Sequence, residues 1–221
     1  MRRVLLHRHI FKNGGQSLEK MLQLSFGQRL LKSEATQQEL RQILTRNTEV
    51  VAVTGHNIRP QSTWSGEIQN HDLVMLRDPW ERLVSIWRYL NLTKKPPEDM
   101  AVLPMQAGLH EFLYQMLRQT PWHVYDHQVA FLSRGGDEWT RPTAGQLASV
   151  QSFLPMTEGL GVVDLWEESL RTAEQRLCEW FPDLVLFTLQ RDNASADDVL
   201  SRDHARKMIR DDCGWRFFQE I

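Results

Sequence analysis

The chain has 221 residues, which fits one domain of ordinary to large size, and 41% of them are hydrophobic, enough to build a sizeable core. Its 26 Lys and Arg residues face 28 Asp and Glu residues, and a net charge of −2 argues against a general nucleic-acid binder, which would carry a basic surface. Two cysteines, Cys178 and Cys213, are too few for a disulfide framework and lack the paired spacing of a zinc site, so we expect a protein of the reducing cytoplasm.

The N-terminal part of the chain predicts a strand, a loop and a helix. A short apolar run at residues 4–6 is typical of a strand, and it is too short for the core of a signal peptide or for a membrane span. A glycine-containing loop follows, after which the spacing of Leu18, Leu22 and their apolar neighbours predicts a helix over residues 17–31. We therefore expect no integral membrane segment here.

Two further strands and a helix follow in the middle of the chain. Residues 49–54 and 72–76 are rich in β-forming side chains, and each run stops at polar residues that would lie at a strand's carboxyl end. Pro79 then favours the first turn of a helix that extends to about residue 90, because the N–H that proline lacks would be unpaired there anyway.

The rest of the chain repeats the alternation. Residues 159–163 and 184–189 predict strands on either side of an amphipathic helix over residues 166–180. Two irregular stretches, residues 93–108 and 133–145, are either solvated connections or walls of a binding site. Strands and helices in this order predict an α/β fold with a central, mostly parallel sheet flanked by helices.

The loop after the first predicted strand carries the first chemical motif, His9-Ile10-Phe11-Lys12-Asn13-Gly14-Gly15-Gln16-Ser17-Leu18. Adjacent glycines let the backbone approach a ligand, the start of a helix offers unpaired N–H groups, and Lys12 adds a full positive charge. These features suit a phosphate. The order is not that of a Walker A motif, and an ordinary glycine turn with Ser17 as a helix cap is the alternative interpretation.

The second motif begins at the end of the third predicted strand and reads Leu76-Arg77-Asp78-Pro79-Trp80-Glu81-Arg82-Leu83-Val84-Ser85-Ile86-Trp87-Arg88-Tyr89. Arg77 follows the strand and Ser85 lies about two turns into the next helix, so both can face one end of the sheet. A guanidinium fork and a hydroxyl suit a phosphate monoester. For Arg82 and Arg88 we expect a solvated helix face.

Taken together, the two motifs resemble those of the sulfotransferases that use 3′-phosphoadenosine 5′-phosphosulfate (PAPS), in the branch that contains heparan sulfate 2-O-sulfotransferase and many bacterial relatives. The first motif is similar to that family's His-Ile-Pro-Lys-Thr-Gly-Gly-Thr-Ser-Leu loop, which holds the 5′-phosphosulfate. The resemblance implies cofactor contacts at Lys12, Asn13, Gly14, Gly15, Gln16 and Ser17. It implies that Arg77 and Ser85 hold the 3′-phosphate.

The likeness extends more weakly to residues 54–56, 126–133 and 161–170, and it implies one sulfotransferase domain over residues 1–221 with a P-loop-like fold. Two positions depart from the family pattern: Phe11 stands in place of proline and Asn13 in place of threonine. The first change removes a backbone restraint and the second replaces a hydroxyl near phosphate. Lysine and both glycines of the loop are retained.

The implied reaction is in-line transfer of the sulfuryl group from PAPS to an acceptor hydroxyl, without a metal. Adenosine 3′,5′-bisphosphate would leave, and Lys12 with the loop amides would meet the charge that builds on it. A base is also useful, and His56, after a predicted strand, is the best placed. The resemblance favours a hydroxyl on a carbohydrate or glycolipid as the acceptor, and a small-molecule alcohol is the alternative. Trp64 is a candidate contact for the acceptor.

Two other classes are consistent with parts of the sequence. A small-molecule kinase shares the order of strand, glycine loop and helix, although the missing Walker A order argues against it. A non-catalytic nucleotide-binding relative would keep the cleft and lose the chemistry. Among the other histidines, His7 and His9 either support the loop or line its entrance, and His123 and His127 are expected to be partly exposed and non-catalytic.

Overall fold

A five-stranded sheet forms the centre of the computed structural model, which describes residues 1–35, 37–60, 67–93, 96–104, 107–133 and 141–186. Its strands are β1 Arg2–Arg8, β2 Leu30–Lys32, β3 Ala52–Gly55, β4 Ile68–Leu76 and β5 Gly159–Val162. All neighbouring pairs are parallel, in the order β2-β3-β1-β4-β5. The predicted α/β fold with a central parallel sheet is confirmed, and it is compatible with a P-loop-like fold.

Helices cover both faces of this sheet. They are α1 Gly15–Phe26, α2 Gln37–Arg46, α3 Pro79–Leu92, α4 Leu109–Gln119, α5 His127–Leu132, α6 Ala144–Phe153 and α7 Trp166–Leu177. The helices predicted from residue 79 and from residue 166 are confirmed, with small shifts at their C-terminal ends. None of the helices in the described ranges is long and apolar enough to cross a membrane.

The helix prediction for residues 17–31 is wrong at its C-terminal end. The helix stops at Phe26, because Gly27 takes a positive φ of 56° that is rarely populated by other residues. After a 3-10 turn, the chain enters β2, whose Leu30 is buried. The predicted strand at residues 184–189 is also wrong in its described part, since residues 184–186 form no strand, and residues 187–189 lie outside the described chain.

The hydrophobic core lies on both faces of β1, since alternate strand side chains point to opposite faces. Leu5 packs in one cluster with side chains of α1 and α7. Val4 and Leu6 pack in another with side chains of α2. Burial on both faces explains why the strands read as continuous apolar runs. Because β3, β1 and β4 are parallel neighbours, their carboxyl ends lie together at one edge of the sheet, where ligands bind in folds of this kind.

Candidate functional site

A cleft of about 590 Å³ lies at this carboxyl edge of the sheet. Eight of the nine predicted site residues line it, namely Lys12, Gly14, Gly15, Gln16, Ser17, His56, Arg77 and Ser85. The ninth, Asn13, is buried and is not part of the lining. The cleft thus receives side chains from three separate parts of the sequence: the loop after β1, the turn after β3, and the end of β4 with helix α3.

The loop after β1 turns sharply into helix α1. Lys12 and Gly14 both have positive φ, at 64° and 77°, and Gly14 is the N-cap of the helix. The carbonyl oxygen of Gly14 accepts hydrogen bonds from the N–H groups of Ser17 and Leu18, at 3.1 and 3.2 Å. The first N–H groups of a helix have no acceptor inside it, so the start of α1 can present them to an anion.

The two glycines fit a space that no larger residue could occupy without displacement. A Cβ at Gly14 would lie 2.7 Å from Cζ3 of Trp166, and a Cβ at Gly15 would lie 1.9 Å from Cδ2 of His9. Trp166 and His9 therefore pack directly against the loop backbone. This close packing fixes the loop from two sides.

Asn13 connects the loop to the sheet. Its Nδ2 donates to the carbonyl oxygen of Met75, at 2.8 Å, and to Oε1 of Gln128, at 2.7 Å. Gln128 also binds both backbone groups of Arg77, accepting from its N–H at 2.9 Å and donating to its carbonyl oxygen at 2.8 Å. Gln128 was not predicted as a site residue: it falls in the weakly similar stretch 126–133, but that likeness gave it no role, and its partners lie 51 and 115 positions away.

Arg77 is held at the junction of β4 and α3. Its Nη1 donates to the carbonyl oxygen of Lys12 at 3.0 Å, whereas its Nε is buried without a hydrogen-bond partner. Burial lowers the pKa of Arg77. The Asp78 side chain stabilises the start of α3, because it accepts hydrogen bonds from the N–H groups of Trp80 and Glu81.

Lys12 lies against aromatic rings in the cleft. Its Nζ is 4.4 Å from the ring centre of Tyr89 and 5.9 Å from that of Phe11. Burial, with a further contribution from the positive charge of Arg77, lowers the pKa of Lys12 to about 8. The ring face of Tyr89 stabilises the ammonium group in place of a carboxylate.

His56 has a defined tautomer, set by its hydrogen bond to the loop. Its Nδ1 lies 2.7 Å from the carbonyl oxygen of His9. A carbonyl oxygen only accepts, so Nδ1 carries the hydrogen and Nε2 of the neutral ring holds a lone pair. The ring centres of His56 and His9 are 4.0 Å apart. His56 can therefore accept a proton at Nε2.

His9 and His7, which lie near His56, are neutral because they are buried. His9 lines the cleft, and burial, followed by the charges of His56 and Lys12, lowers its pKa to about 3. His7 is fully buried beneath it, with Nδ1 2.8 Å from Oγ1 of Thr54, and burial lowers its pKa well below the usual value. His7 thus supports the sheet edge, whereas His9 forms part of the cleft wall.

The expected solvated face for Arg82 and Arg88 is wrong. Arg82 is only 2% exposed, and it donates from Nε to the carbonyl oxygen of Phe11 at 3.1 Å and from Nη1 to that of His123 at 2.8 Å. Arg88 lines the cleft. Helix α3 is covered by α4 and by the chain that follows it, so its charged side chains do not all face solvent.

The expected exposure of His123 and His127 is also wrong, since each is 7% exposed. Nε2 of His123 lies 2.7 Å from Oδ2 of Asp99, and this hydrogen bond lowers the pKa of Asp99. Trp64 lies outside the described residues. Within those residues, no group of three or more His, Cys, Asp or Glu side chains could hold a metal ion.

None of the protein-family models matches the chain. The chain is 23% identical, over an alignment of 238 positions, to an uncharacterized protein of Archaeoglobus fulgidus. That alignment covers 99% of this chain and 90% of the archaeal protein. The similarity runs along nearly the whole of both chains.

We predict that Gly15→Ala destabilises the protein by about 1–3 kcal/mol, the usual cost of overpacking, because the new Cβ would overlap the buried ring of His9. Thermal denaturation measures the effect. Gly145→Ala is the control: a Cβ there meets only Oγ1 of Thr143, at 3.8 Å, so its transition should be unchanged or slightly raised. An unchanged transition for Gly15→Ala would contradict the packing of His9 on the loop.

Proposed function

We propose that this protein is a sulfotransferase that moves the sulfuryl group of PAPS to the hydroxyl group of an acceptor. The observation that carries the proposal is the meeting of both predicted motifs in one cleft. Lys12 and Arg77, one from each motif, are 65 positions apart in the chain and are joined by a hydrogen bond. An anion-binding group from each motif in one cleft suits a nucleotide with a charged group at each end.

The cleft residues fit such a nucleotide. The start of α1 offers N–H groups, and Lys12 offers a positive charge, for the 5′-phosphosulfate. Arg77, whose buried Nε has no partner, and the hydroxyl of Ser85 offer donors for the 3′-phosphate. Asn13 lies behind the loop, and we propose that it positions the loop instead of contacting the ligand.

When bound, PAPS supplies the sulfuryl group and a phosphate leaving group. His56 accepts the proton of the acceptor hydroxyl at Nε2 while its Nδ1–H stays bound to the carbonyl oxygen of His9. The ammonium group of Lys12, with the N–H groups at the start of α1, opposes the negative charge that develops on the leaving oxygen. We propose that the positive charge of Lys12 makes a metal unnecessary.

The acceptor and the location of the protein belong to the same proposal. The resemblance favours a hydroxyl on a carbohydrate or glycolipid, with a small-molecule alcohol as the other candidate. The scarcity of cysteine favours the cytoplasm. Incubation with labelled PAPS and an extract of the source organism, followed by isolation of the labelled product, would identify the acceptor.

The first experiment is a thermal shift assay with two nucleotides. Adenosine 3′,5′-bisphosphate without metal should raise the transition temperature, whereas ATP with Mg²⁺ should not. Stabilisation by ATP and Mg²⁺ alone would instead indicate a kinase. Stabilisation by the bisphosphate without any sulfuryl transfer to extract components would indicate a non-catalytic nucleotide-binding protein.

We predict that Arg77→Ala weakens the binding of adenosine 3′,5′-bisphosphate by about 2 kcal/mol or more, the scale of a lost charge-assisted hydrogen bond. The affinity for adenosine 5′-phosphate, which lacks the 3′-phosphate, should change little. Titration calorimetry measures both. Equal losses for the two nucleotides would mean that Arg77 only supports the loop through the Lys12 carbonyl.

We predict that the affinity for adenosine 3′,5′-bisphosphate falls above pH 8. In the protein without nucleotide, the pKa of Lys12 is about 8. Only the protonated side chain attracts the anion, and the bound anion raises that pKa. Binding should therefore be fully developed at pH 7 and up to about tenfold weaker at pH 9, since one pH unit above a pKa removes most of the charge.

Lys12→Arg is the matched control for this pH dependence, because a guanidinium stays charged at both pH values. Its affinity, measured by the same calorimetry, should be nearly equal at pH 7 and pH 9. A wild-type affinity that is equal at the two pH values would contradict a role for the Lys12 charge in binding.

We predict that His56→Gln lowers kcat by about 10²- to 10⁴-fold, the usual contribution of a general base. Glutamine can still donate to the carbonyl oxygen of His9, so nucleotide affinity and stability should stay close to those of the wild type. A near-normal kcat in the folded variant would reject His56 as the base.

A further inference from the structure

One face of helix α3 contributes a regular stripe of side chains to the cleft. These side chains are Ser85, Arg88, Tyr89 and Leu92. Their spacing of three and four residues places them on one side of the helix. Arg77 lines the same cleft from the end of β4. A single strand and the helix that follows it therefore bring two guanidinium groups and the hydroxyl of Ser85 to the cleft.

The guanidinium of Arg88 has a donor that the described protein does not use. Its Nε is buried without a hydrogen-bond partner, as is Nε of Arg77. A buried donor without an acceptor costs free energy. Two arginines with this feature line one cleft, which indicates that a ligand in the cleft supplies the missing acceptor. An oxygen atom of a bound anion would accept from these donors.

The charges of the two arginines narrow the choice of anion. Burial has the largest effect in lowering the pKa of Arg77, the charges of Glu81 and Asp164 raise it, and the positive charge of Arg88 lowers it, so the two guanidinium groups repel one another. A phosphate monoester carries a charge of about −1.5 to −2 near pH 7, which matches two guanidinium groups. A phosphodiester or a sulfate ester carries only a single negative charge.

We propose that Arg88 is a second arginine for the 3′-phosphate, and that with Arg77 and Ser85 it makes the cleft select nucleotides that carry a 3′-phosphomonoester. The inference rests on the proposed function, because it places the donor nucleotide in this cleft. The family resemblance assigns the 3′-phosphate to Arg77 and Ser85 and gives no role to Arg88. Arg88 is therefore a specificity residue to which the motif comparison assigns no role.

Titration calorimetry on the full chain tests this role with adenosine 3′,5′-bisphosphate and adenosine 5′-phosphate. The wild type should prefer the bisphosphate. Arg88→Gln should weaken the bisphosphate at least about tenfold, as expected for one lost charge-assisted contact, and leave the monophosphate nearly unchanged. Arg171→Gln is the matched control, since it removes the same charge from an exposed position on α7 and should alter neither affinity.

The possible results separate the inference from the proposed function. Unchanged bisphosphate affinity in Arg88→Gln, or equal losses for both nucleotides, would overturn the role of Arg88. Unchanged nucleotide affinity with a raised KM for the acceptor would assign Arg88 to an anionic group of the acceptor and would also overturn it. A wild type that binds neither nucleotide would reject the proposed function itself.

Arg88→Lys keeps the test decisive if the glutamine variant does not fold. Lysine retains the positive charge but lacks the planar fork that binds two phosphate oxygens. It should therefore weaken the bisphosphate less than the glutamine change does, and still leave the monophosphate unaffected. An Arg88→Lys protein with wild-type preference for the bisphosphate would count against the proposal.

Discussion

The hydrogen bond from Nη1 of Arg77 to the carbonyl oxygen of Lys12 joins two of the three parts of the candidate site, the loop after β1 and the end of β4. Strands β1 and β4 are paired in parallel, so the bond spans neighbouring strand ends. Because its donor is a charged guanidinium, it is stronger than a bond between neutral groups. Gln128 reinforces this junction by binding both backbone groups of Arg77 and the side chain of Asn13. The loop and helix α3 are thus positioned before any ligand arrives.

The cleft concentrates positive charge in a protein whose overall balance is slightly negative. Burial lowers the pKa of Lys12 to about 8 and that of Arg82 to about 9, and the charge of Arg77 adds to both shifts. Lys12 lies against the ring of Tyr89, and Arg82 donates to two backbone carbonyl oxygens. Lys12, Arg77 and Arg88 line the cleft, and this group of cations favours an anion, although the negative charges of Glu81 and Asp164 partly offset that of Arg77.

His9 links the loop to the candidate base. Its ring occupies the space beside Gly15 and contacts the tilted ring of His56, and its carbonyl oxygen accepts from Nδ1–H of His56. The conformation of the loop and the tautomer of His56 therefore depend on the same residue. The low pKa of His9 keeps a neutral ring in that position across the physiological range.

Features that depend on neighbouring residues were determined by the sequence itself. The start of α3 follows from Asp78 and Pro79, because a cap and its proline act within one turn. The apolar runs of β1 and β4 predicted buried parallel strands, since both faces of such strands must be covered. The glycine loop likewise marked the cleft, because a close approach of the backbone requires glycine locally.

Features that join distant parts of the chain were decided only by the tertiary structure. The pattern of α3 does not reveal that Arg82 is buried, because its partner His123 is 41 positions away. Nor does it distinguish an Arg88 that lines the cleft from one that faces solvent. Gln128 and the short strand β2 are no more visible locally, since each is defined by pairing with a segment that folding brings alongside. Hydrophobic periodicity specifies which side of an element is buried, whereas the fold decides which polar side chains meet there.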